Sequence, residues 1–260
     1  MSGAFTDDAF LGGRIMIRQP ADGYRAAMDP VLLAAAVPPV NDRGARAGGP
    51  VLDLGCGVGT ALLCYGARVP HAELWGLERD PAIADLARAN LAANGAADRG
   101  RILTGDLLRP PGDLPQHAFA EVMANPPYHL EGASEASPHP RRVASNREGE
   151  ARLSDWIEAA LAALAPKGGL TLIHRADRVS EICALLRGRA GAITIFPLWP
   201  RAGRPAKRVI VRARKGLKSP DVLAAGLVLH GDGEGDGGGE DGRYSPEAEA
   251  ILRDGAALSV

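Results

Sequence analysis

The stretch VLDLGCGVG, residues 51–59, is the feature that most restricts how this chain can fold. An apolar run typical of a buried strand leads directly into alternating glycines, and an Ala/Leu-rich segment typical of a helix follows. Glycine lets the backbone turn tightly and approach a bound ligand, and a helix N-terminus presents free N–H groups. The stretch therefore predicts a strand, a tight turn and a helix. The turn either binds a nucleotide-type ligand or is a tight turn without a ligand.

Short apolar runs alternate with helix-like segments along the chain from Val51 onward. The later runs are AELWGLE, GRILTGD, FAEVMANPP and GGLTLIHR, and helices are expected over about 81–95, 152–164 and 179–187. This alternation indicates a parallel sheet with helices on both faces. The last two apolar runs, AITIFPLWP and KRVIVRARKG, have no helix between them and predict an antiparallel pair at one edge of the sheet.

The helix after the second strand has clear boundary signals. Asp80 is suited to the N-cap, Pro81 to the first helical position, and Gly95 to the stop after the last turn. Between these ends a stripe at helical spacing is expected to pack on the sheet; it consists of Ile83, Leu86, Ala87, Asn90 and Leu91.

Two acidic residues end the next two predicted strands. Glu78 lies about twenty residues beyond the glycine turn, where a carboxylate can accept hydrogen bonds from two ribose hydroxyls. Asp106 ends the following strand, where a carboxylate can accept a hydrogen bond from an exocyclic adenine amine. Either acid alone is more often a solvated charge. Two at successive carboxyl ends of parallel strands predict a nucleoside above the sheet.

Asp53, inside the strand before the glycine turn, distinguishes between two kinds of nucleotide cofactor. A dinucleotide site needs GxGxxG, whereas Thr60 and Ala61 follow Gly59 here without the third spaced glycine. An acid at position 53 also fits badly beside a pyrophosphate, but it suits the cationic methionine end of S-adenosylmethionine. The D-x-G-x-G-x-G run with the two strand-end acids resembles S-adenosylmethionine-dependent methyltransferases over roughly residues 48–215.

This resemblance implies the fold class and a first set of site residues. The expected fold is α/β, a Rossmann-like seven-stranded methyltransferase sheet that is mostly parallel, with an antiparallel edge hairpin and helices on both faces. The implied cofactor is S-adenosyl-L-methionine. Its candidate binding residues in the sheet region are Asp53, Gly55, Gly57, Glu78, Asp106 and Leu107.

The run EVMANPPYHL ends a predicted strand with the residues Asn125 to Tyr128. Prolines commonly stop a strand, because they remove backbone donors and fix φ, but this explains neither Asn125 nor Tyr128. NPPY beside the cofactor resembles the motif with which amino-methyltransferases hold a planar nitrogen. The Asn125 side-chain oxygen and the Pro126 carbonyl would each accept one N–H of the target amine, and Tyr128 would stack on the base. Asn125, Pro126 and Tyr128 are therefore the candidate catalytic residues, and Pro127 is a candidate substrate contact.

NPPY leaves the substrate open, because DNA adenine, RNA adenine or guanine, and glutamine amide methyltransferases share it or close variants. The segments FLGGRIMIRQPADGYRAAMDPVLLAAAVP and IFPLWPRAGRPAKRVIVRARKG narrow the choice. They resemble the bacterial tRNA adenine-N6 methyltransferases that modify the adenine beside the anticodon of a valine tRNA. The resemblance implies tRNA as the partner and places Asp29 near the methionine end of the cofactor.

Three other functions compete with this interpretation. A protein-glutamine methyltransferase would use NPPY on an amide nitrogen, but the Arg-x-x-Thr-Glu type motif typical of that group is absent. A DNA adenine methyltransferase would need a larger recognition domain than the chain offers. A cofactor-binding RNA chaperone or scaffold would have no need of Asn125 and Tyr128.

The segment from Arg201 to Lys215 carries seven basic residues and no acid, in a chain whose formal net charge is -1. Such a segment is either a basic edge hairpin or a local phosphate-binding patch. Arg141, Arg142 and Arg147 follow NPPY in a polar loop. The candidate basic contacts to substrate RNA are Arg141, Arg142, Arg204, Lys207 and Arg208.

Other features of the composition argue against further classes. The three cysteines have no CxxC spacing and the six histidines no HxxxH or HExxH pattern, so no metal site is expected, and the thiols should be buried. No apolar stretch approaches the ~20 residues that a membrane span needs. Because the N-terminus MSGAFTDDAF is acidic, a secretory signal is not expected, and the protein should be cytoplasmic and not membrane-bound.

The composition and the resemblance together suggest three regions. Residues 1–49 are expected to form an N-terminal arm that covers the cofactor and contains a short apolar helix over 30–36, ended by Pro38 and Pro39. Residues 50–218 would form the methyltransferase domain. Residues 219–260 would form an appendage in which 231–242, made only of Gly, Asp and Glu, is a flexible loop between a strand and a short helix. The oligomeric state is left open.

Overall fold

The computed structural model of the chain describes residues 4–22, 25–40, 49–127, 151–231 and 243–260. Its strands are β1 Phe5–Phe10, β2 Ile15–Pro20, β3 Val51–Leu54, β4 Leu74–Glu78, β5 Gly100–Thr104, β6 Phe119–Ala124, β7 Leu164–Arg175, β8 Ala190–Trp199, β9 Arg208–Lys215, β10 Val222–Leu223 and β11 Leu227–Val228. Its α-helices are α1 Met28–Ala36, α2 Thr60–Arg68, α3 Pro81–Ala93, α4 Leu153–Ala163, α5 Val179–Leu186 and α6 Pro246–Asp254.

The main sheet has the strand order β8-β9-β7-β6-β3-β4-β5 at its centre. Strands β3 to β7 run parallel, and β9 pairs antiparallel with both β7 and β8. This confirms the expected seven strands and the antiparallel pair. Two short strands, β10 and β11, also pair parallel with β8, so the hairpin is not the outermost element. They satisfy backbone groups on β8 that an edge strand would leave open.

Helices cover both faces of this sheet, as the alternation of strands and helices predicts. One apolar core lies between the sheet and helices α1, α2, α3 and α6. The other core lies between the opposite face and helices α4 and α5. Two of the three cysteines, Cys56 and Cys64, are buried as expected, whereas Cys183 is half-buried; all three are free thiols.

A separate two-stranded hairpin, β1 with β2, precedes α1. Only the helix was expected in this arm. In β2 the side chains of Ile15, Ile17 and Gln19 are buried, while Met16 and Arg18 are exposed. The period-2 pattern of a half-buried strand is therefore present in IMIRQ. Five residues are too few to identify a strand from this pattern without its partner β1.

Local signals set the ends of α3 as predicted. The Asp80 side chain accepts from the N–H of Ala82 at 2.8 Å, Pro81 is the first helical residue, and Gly95 has φ 68° just beyond the helix. The expected stripe needs one correction. Asn90 does not pack as part of an apolar surface, because its buried amide makes hydrogen bonds to backbone groups.

Two features are absent from the described ranges. None of the helices there is long and apolar enough to cross a membrane. Within the same ranges, no group of three or more His, Cys, Asp or Glu side chains is arranged to hold a metal ion.

Candidate active site

A cavity of about 330 Å³ lies at the carboxyl ends of β3 to β6. Parallel strands direct their carboxyl ends to one edge of a sheet, so residues that follow different strands meet there. The cavity brings together nine of the predicted site residues: Asp53, Gly55, Gly57, Glu78, Asp106, Leu107, Asn125, Pro126 and Pro127. Tyr128, Arg141 and Arg142 lie outside the described residues, as do Arg147 and residues 232–242 of the Gly-rich loop.

The glycine turn between β3 and α2 depends on its glycines for conformation, and at Gly55 also for space. Gly55, Gly57 and Gly59 have φ values of 67°, 55° and 87°, in the left-handed region that side chains disfavour. A Cβ on Gly55 would overlap Cη2 of Trp156. The turn therefore brings bare backbone to the cavity, as the sequence predicts.

Glu78 holds this turn to the start of α3. Its Oε2 accepts from the Gly57 N–H at 3.0 Å, and its Oε1 accepts from the Asp80 N–H at 2.9 Å. Hydrogen bonds to charged acceptors are stronger than those between neutral groups. The Glu78 carboxylate lines the cavity and also fixes its backbone wall.

Asp53 is buried at the centre of the site, with 3% of its surface exposed. Burial raises its pKa well above the usual value, and the nearby negative charge of Glu78 raises the pKa further. A hydrogen bond from the Leu62 backbone acts in the opposite direction. A cation in the cavity would stabilise the charged form of Asp53.

Asp106 and Leu107 form the cavity wall after β5. The Asp106 Oδ1 accepts from the Leu108 N–H at 3.0 Å, so this carboxylate also closes its own turn. Leu107 is half-buried beside it. One wall of the cavity thus combines an acceptor with an apolar surface.

Asn125, Pro126 and Pro127 follow the last residue of β6 directly. Pro126 is buried, while Asn125 and Pro127 are half-buried and all three line the cavity. Strand β6 is paired on both sides, with β3 and β7, so the position of this segment is fixed by the sheet. The same cavity is lined by Asp53, Glu78 and residues of the glycine turn.

Sequence reasoning missed part of the cavity wall. The arm contributes Gln19, Pro20 and Ala26, and α4 contributes Trp156. Trp156 Nε1 is buried and has no hydrogen-bond partner among the described residues. The alternation in IMIRQ signals a buried Gln19, and the arm was expected to cover the cofactor. No pattern in the sequence, however, singles out Gln19, Pro20, Ala26 or Trp156 as a cavity residue.

The expected place of Asp29, near the methionine end of the cofactor, stays a prediction. Asp29 is not among the residues that line the cavity, although its neighbour Pro30 is. Its Oδ2 accepts from Nε of Arg208 at 3.1 Å. The structure therefore joins one predicted cofactor residue to one predicted substrate residue.

The basic segment 201–215 divides into two parts. In the antiparallel register of β7 and β9, Arg208 lies opposite Arg175, the last residue of β7. The turn before β9 therefore lies at the same sheet edge as the cavity. This turn carries Arg204 and Lys207, which are exposed and do not line the cavity. The three basic side chains later in β9 donate to backbone oxygens: Arg212 to Val260 at 3.0 Å, Arg214 to Lys167 at 2.8 Å and Lys215 to Leu164 at 2.7 Å.

A family model described as methyltransferase small domain matches residues 36–182, which include the glycine turn, both strand-end acids and NPPY. The chain is 32% identical over 181 residues to the tRNA1(Val) (adenine(37)-N6)-methyltransferase of Porphyromonas gingivalis, covering 67% of this chain and 68% of that protein. It is 33% identical over 147 residues to the release factor glutamine methyltransferase of Burkholderia pseudomallei, covering 52% and 50%.

Among solved structures, the chain is similar to a protein of Agrobacterium tumefaciens described as a predicted O-methyltransferase. The TM-score is 0.70 at 29% sequence identity, and the match covers 90% of this chain and 99% of the other. The likeness extends beyond the residues of the family model to most of the fold.

Proposed function

Since the chain belongs to the methyltransferase small domain family, we propose that it transfers a methyl group from S-adenosylmethionine to the exocyclic N6 of an adenine in tRNA. The observation that carries this proposal is the meeting of the glycine turn, two strand-end acids and Asn125-Pro126-Pro127 around one cavity. When bound, S-adenosylmethionine supplies an electrophilic methyl group on a positively charged sulfur. The target nitrogen takes up this methyl group as the carbon–sulfur bond breaks, and it releases one of its protons to solvent. The chain's own residues bind and orient the reactants.

The cavity residues fit such a cofactor. Glu78 would accept hydrogen bonds from the ribose hydroxyls, and Asp106 with Leu107 would hold the adenine through one acceptor and one apolar contact. The glycine turn, with Gly55 and Gly57, allows the cofactor to approach the backbone. Asp53, whose pKa is raised by burial, would become charged opposite the cationic methionine end.

Asn125 and Pro126 would act on the target amine. The lone pair of an exocyclic amine is delocalised into the ring, so the nitrogen is a poor nucleophile. If the Asn125 side-chain oxygen and the Pro126 carbonyl each accept one N–H, the nitrogen is favoured in a pyramidal form with its lone pair directed at the methyl group. Tyr128, which follows in the sequence, would stack on the base, and Pro127 would limit its position.

The choice of tRNA rests on two supports. The first is the name of the Porphyromonas gingivalis relative, whose alignment with this chain covers two thirds of each protein. The second is the exposed pair Arg204 and Lys207 at the sheet edge that carries the cavity, where phosphates of a bound RNA would pass. Arg141 and Arg142, in the segment after NPPY, are proposed as further phosphate contacts. The activity would then belong to the cytoplasm, the compartment that holds tRNA.

The three-part division of the chain is part of the same proposal. Residues 1–49 would act as the arm over the cofactor, residues 50–218 as the catalytic domain and residues 219–260 as an appendage. The arm's contribution of Gln19, Pro20 and Ala26 to the cavity supports this role for the first part.

The test is methyl transfer with purified protein. The protein is incubated with S-adenosylmethionine carrying a labelled methyl group and, in parallel, with unmodified tRNA transcripts, with duplex DNA and with a glutamine-containing peptide from a release factor. The expected result is N6-methyladenosine in tRNA, identified by mass spectrometry of the nucleosides. Label in the peptide alone would instead favour the glutamine activity of the Burkholderia pseudomallei relative, and label in DNA alone would overturn RNA as substrate.

A further inference from the structure

Helix α3 carries two asparagines that bind strand β2 of the arm as a neighbouring strand would. The Asn90 Oδ1 accepts from the Arg18 N–H at 2.9 Å, and its Nδ2 donates to the Arg18 carbonyl at 3.0 Å. Asn94 repeats the pattern with Met16, accepting from the N–H at 3.0 Å and donating to the carbonyl at 2.7 Å. Four hydrogen bonds from two side chains thus hold the outer edge of β2, whose other edge pairs with β1.

The spacing of residues along α3 and β2 explains how two asparagines can bond the edge of the strand. Residues four apart lie on one side of a helix and about 6 Å apart along its axis. Alternate residues of a strand direct their backbone groups to the same side and lie about 7 Å apart. Asn90 and Asn94 on α3 therefore match Arg18 and Met16 on β2, and each primary amide offers the donor and acceptor that a peptide group would offer.

Each asparagine makes a third hydrogen bond, but the two bonds have different partners. The Asn94 Nδ2 donates to the Asn90 carbonyl at 2.8 Å, within α3. The Asn90 Nδ2 instead donates to the carbonyl of Val58, in the glycine turn, at 2.9 Å. Only 2% of the Asn90 surface is exposed. One buried amide therefore ties the arm to the glycine turn, which lines the cavity.

The residues after Arg18 form the part of the cavity wall that the arm supplies. Gln19 is 1% exposed and lines the cavity with Pro20. The Gln19 Nε2 donates to Asp8 at 2.7 Å, and its Oε1 accepts from the N–H of Ala26, another lining residue, at 2.9 Å. The position of Arg18 against α3 thus sets the position of the whole wall.

We propose that Asn90 is a positioning residue that holds the arm against the glycine turn, so that Gln19 and Pro20 close the S-adenosylmethionine cavity. This inference rests on the proposed cofactor. It assigns to Asn90 an effect on cofactor affinity that acts through the arm, since Asn90 does not itself line the cavity.

The experiment compares Asn90→Ala with Asn94→Ala, which removes two similar hydrogen bonds to the same strand but no bond to the glycine turn. Binding of S-adenosylhomocysteine is measured by calorimetry, and the exchange of backbone amide hydrogens in residues 15–20 is measured with and without it. Asn90→Ala should weaken binding by about tenfold or more, and Asn94→Ala by less than about threefold. Asn90→Ala should also speed exchange at the Arg18 amide.

The outcomes separate this inference from the proposed function. No binding by the wild-type protein would overturn the cofactor itself. Wild-type binding with equal affinity in Asn90→Ala, or equal losses in both variants, would overturn the role of Asn90. If alanine at this buried position prevents folding, Asn90→Ser removes the amide while keeping a small polar side chain, and the same comparison applies to it.

Discussion

The Nε of Arg208 lies 3.1 Å from the Oδ2 of Asp29, although 179 positions separate the two residues in the sequence. This ion pair joins the first residue of β9 to the first turn of α1. The side chains are 33% and 18% exposed, so water screens the pair only in part. It links the basic turn that we propose to meet RNA with the arm beside the cavity.

We expect mutations of this pair to be coupled. Asp29→Ala and Arg208→Ala should each lower kcat/KM for tRNA methylation, and the double variant should lose less than the sum of the two losses. The expected coupling is about 1 kcal/mol, because the pair is partly exposed. The surface pair Glu158–Arg189, 69% and 37% exposed, is the control and should give no coupling in the same assay. Additive losses for Asp29 and Arg208 would contradict the prediction.

Glu78→Ala should weaken the binding of S-adenosylmethionine by ~1 to 3 kcal/mol. The variant loses the proposed ribose contacts and also the two backbone hydrogen bonds that hold Gly57 and Asp80. Titration calorimetry measures the change. Glu247→Ala, which removes an exposed carboxylate in the first turn of α6, should bind as the wild type does. Unchanged affinity in Glu78→Ala would contradict the assignment of Glu78 as a cofactor-binding residue.

Asn125→Ala should lower kcat by ~10² or more while leaving cofactor affinity nearly unchanged. The reason is that the proposed hydrogen bond strengthens as the target nitrogen becomes pyramidal. Asn125→Asp keeps an acceptor but adds charge beside the sulfonium, and it should retain partial activity. Single-turnover methyl transfer to tRNA measures all three proteins. Near-wild-type turnover in Asn125→Ala would falsify the catalytic role.

Replacing Arg204 and Lys207 together by alanine should weaken tRNA binding and reduce its salt dependence. Log K for binding falls as log salt concentration rises, and each lost phosphate contact should make this slope less steep by about one. Lys218→Ala is the matched control, since this exposed lysine follows β9 at the opposite end of the hairpin from the turn. Binding curves at several salt concentrations decide the matter, and an equal slope in the double variant and the wild type would remove the turn from the RNA surface.

Asp53→Asn should stabilise the ligand-free protein increasingly as pH rises. Burial raises the pKa of Asp53 above the value of 3.8 expected in the unfolded chain, so the unfolded state loses the proton first and gains stability relative to the folded state. Wild type and variant should therefore have similar melting temperatures near about pH 4 and diverge toward about pH 8. Asp113→Asn, at an exposed position, should show no such divergence. The Asp53→Asn variant should also bind S-adenosylmethionine more weakly.

Local chemistry was enough to predict much of the fold and the centre of the site. Glycines that must adopt positive φ, an Asp-Pro pair at the start of α3 and alternating apolar runs are signals contained within a few consecutive residues. The rule that parallel strands end at one edge then predicts that Asp53, Glu78, Asp106 and Asn125 meet, and the cavity contains all four. The division of the chain into three regions, and the roles of these residues, stay predictions.

The tertiary structure decided what joins distant segments. Asn90 looks in sequence like one more member of a helical stripe, and only the approach of β2 makes its amide a substitute for a strand. Arg208 and Arg214 look alike in a basic segment, yet one bonds Asp29 and the other the Lys167 carbonyl at the far end of the hairpin. The physical reason is that a hydrogen bond or an ion pair depends on distance and direction in space. That distance and direction are set only when folding brings two distant segments together. Conformational preferences, by contrast, act between residues that are close in the sequence.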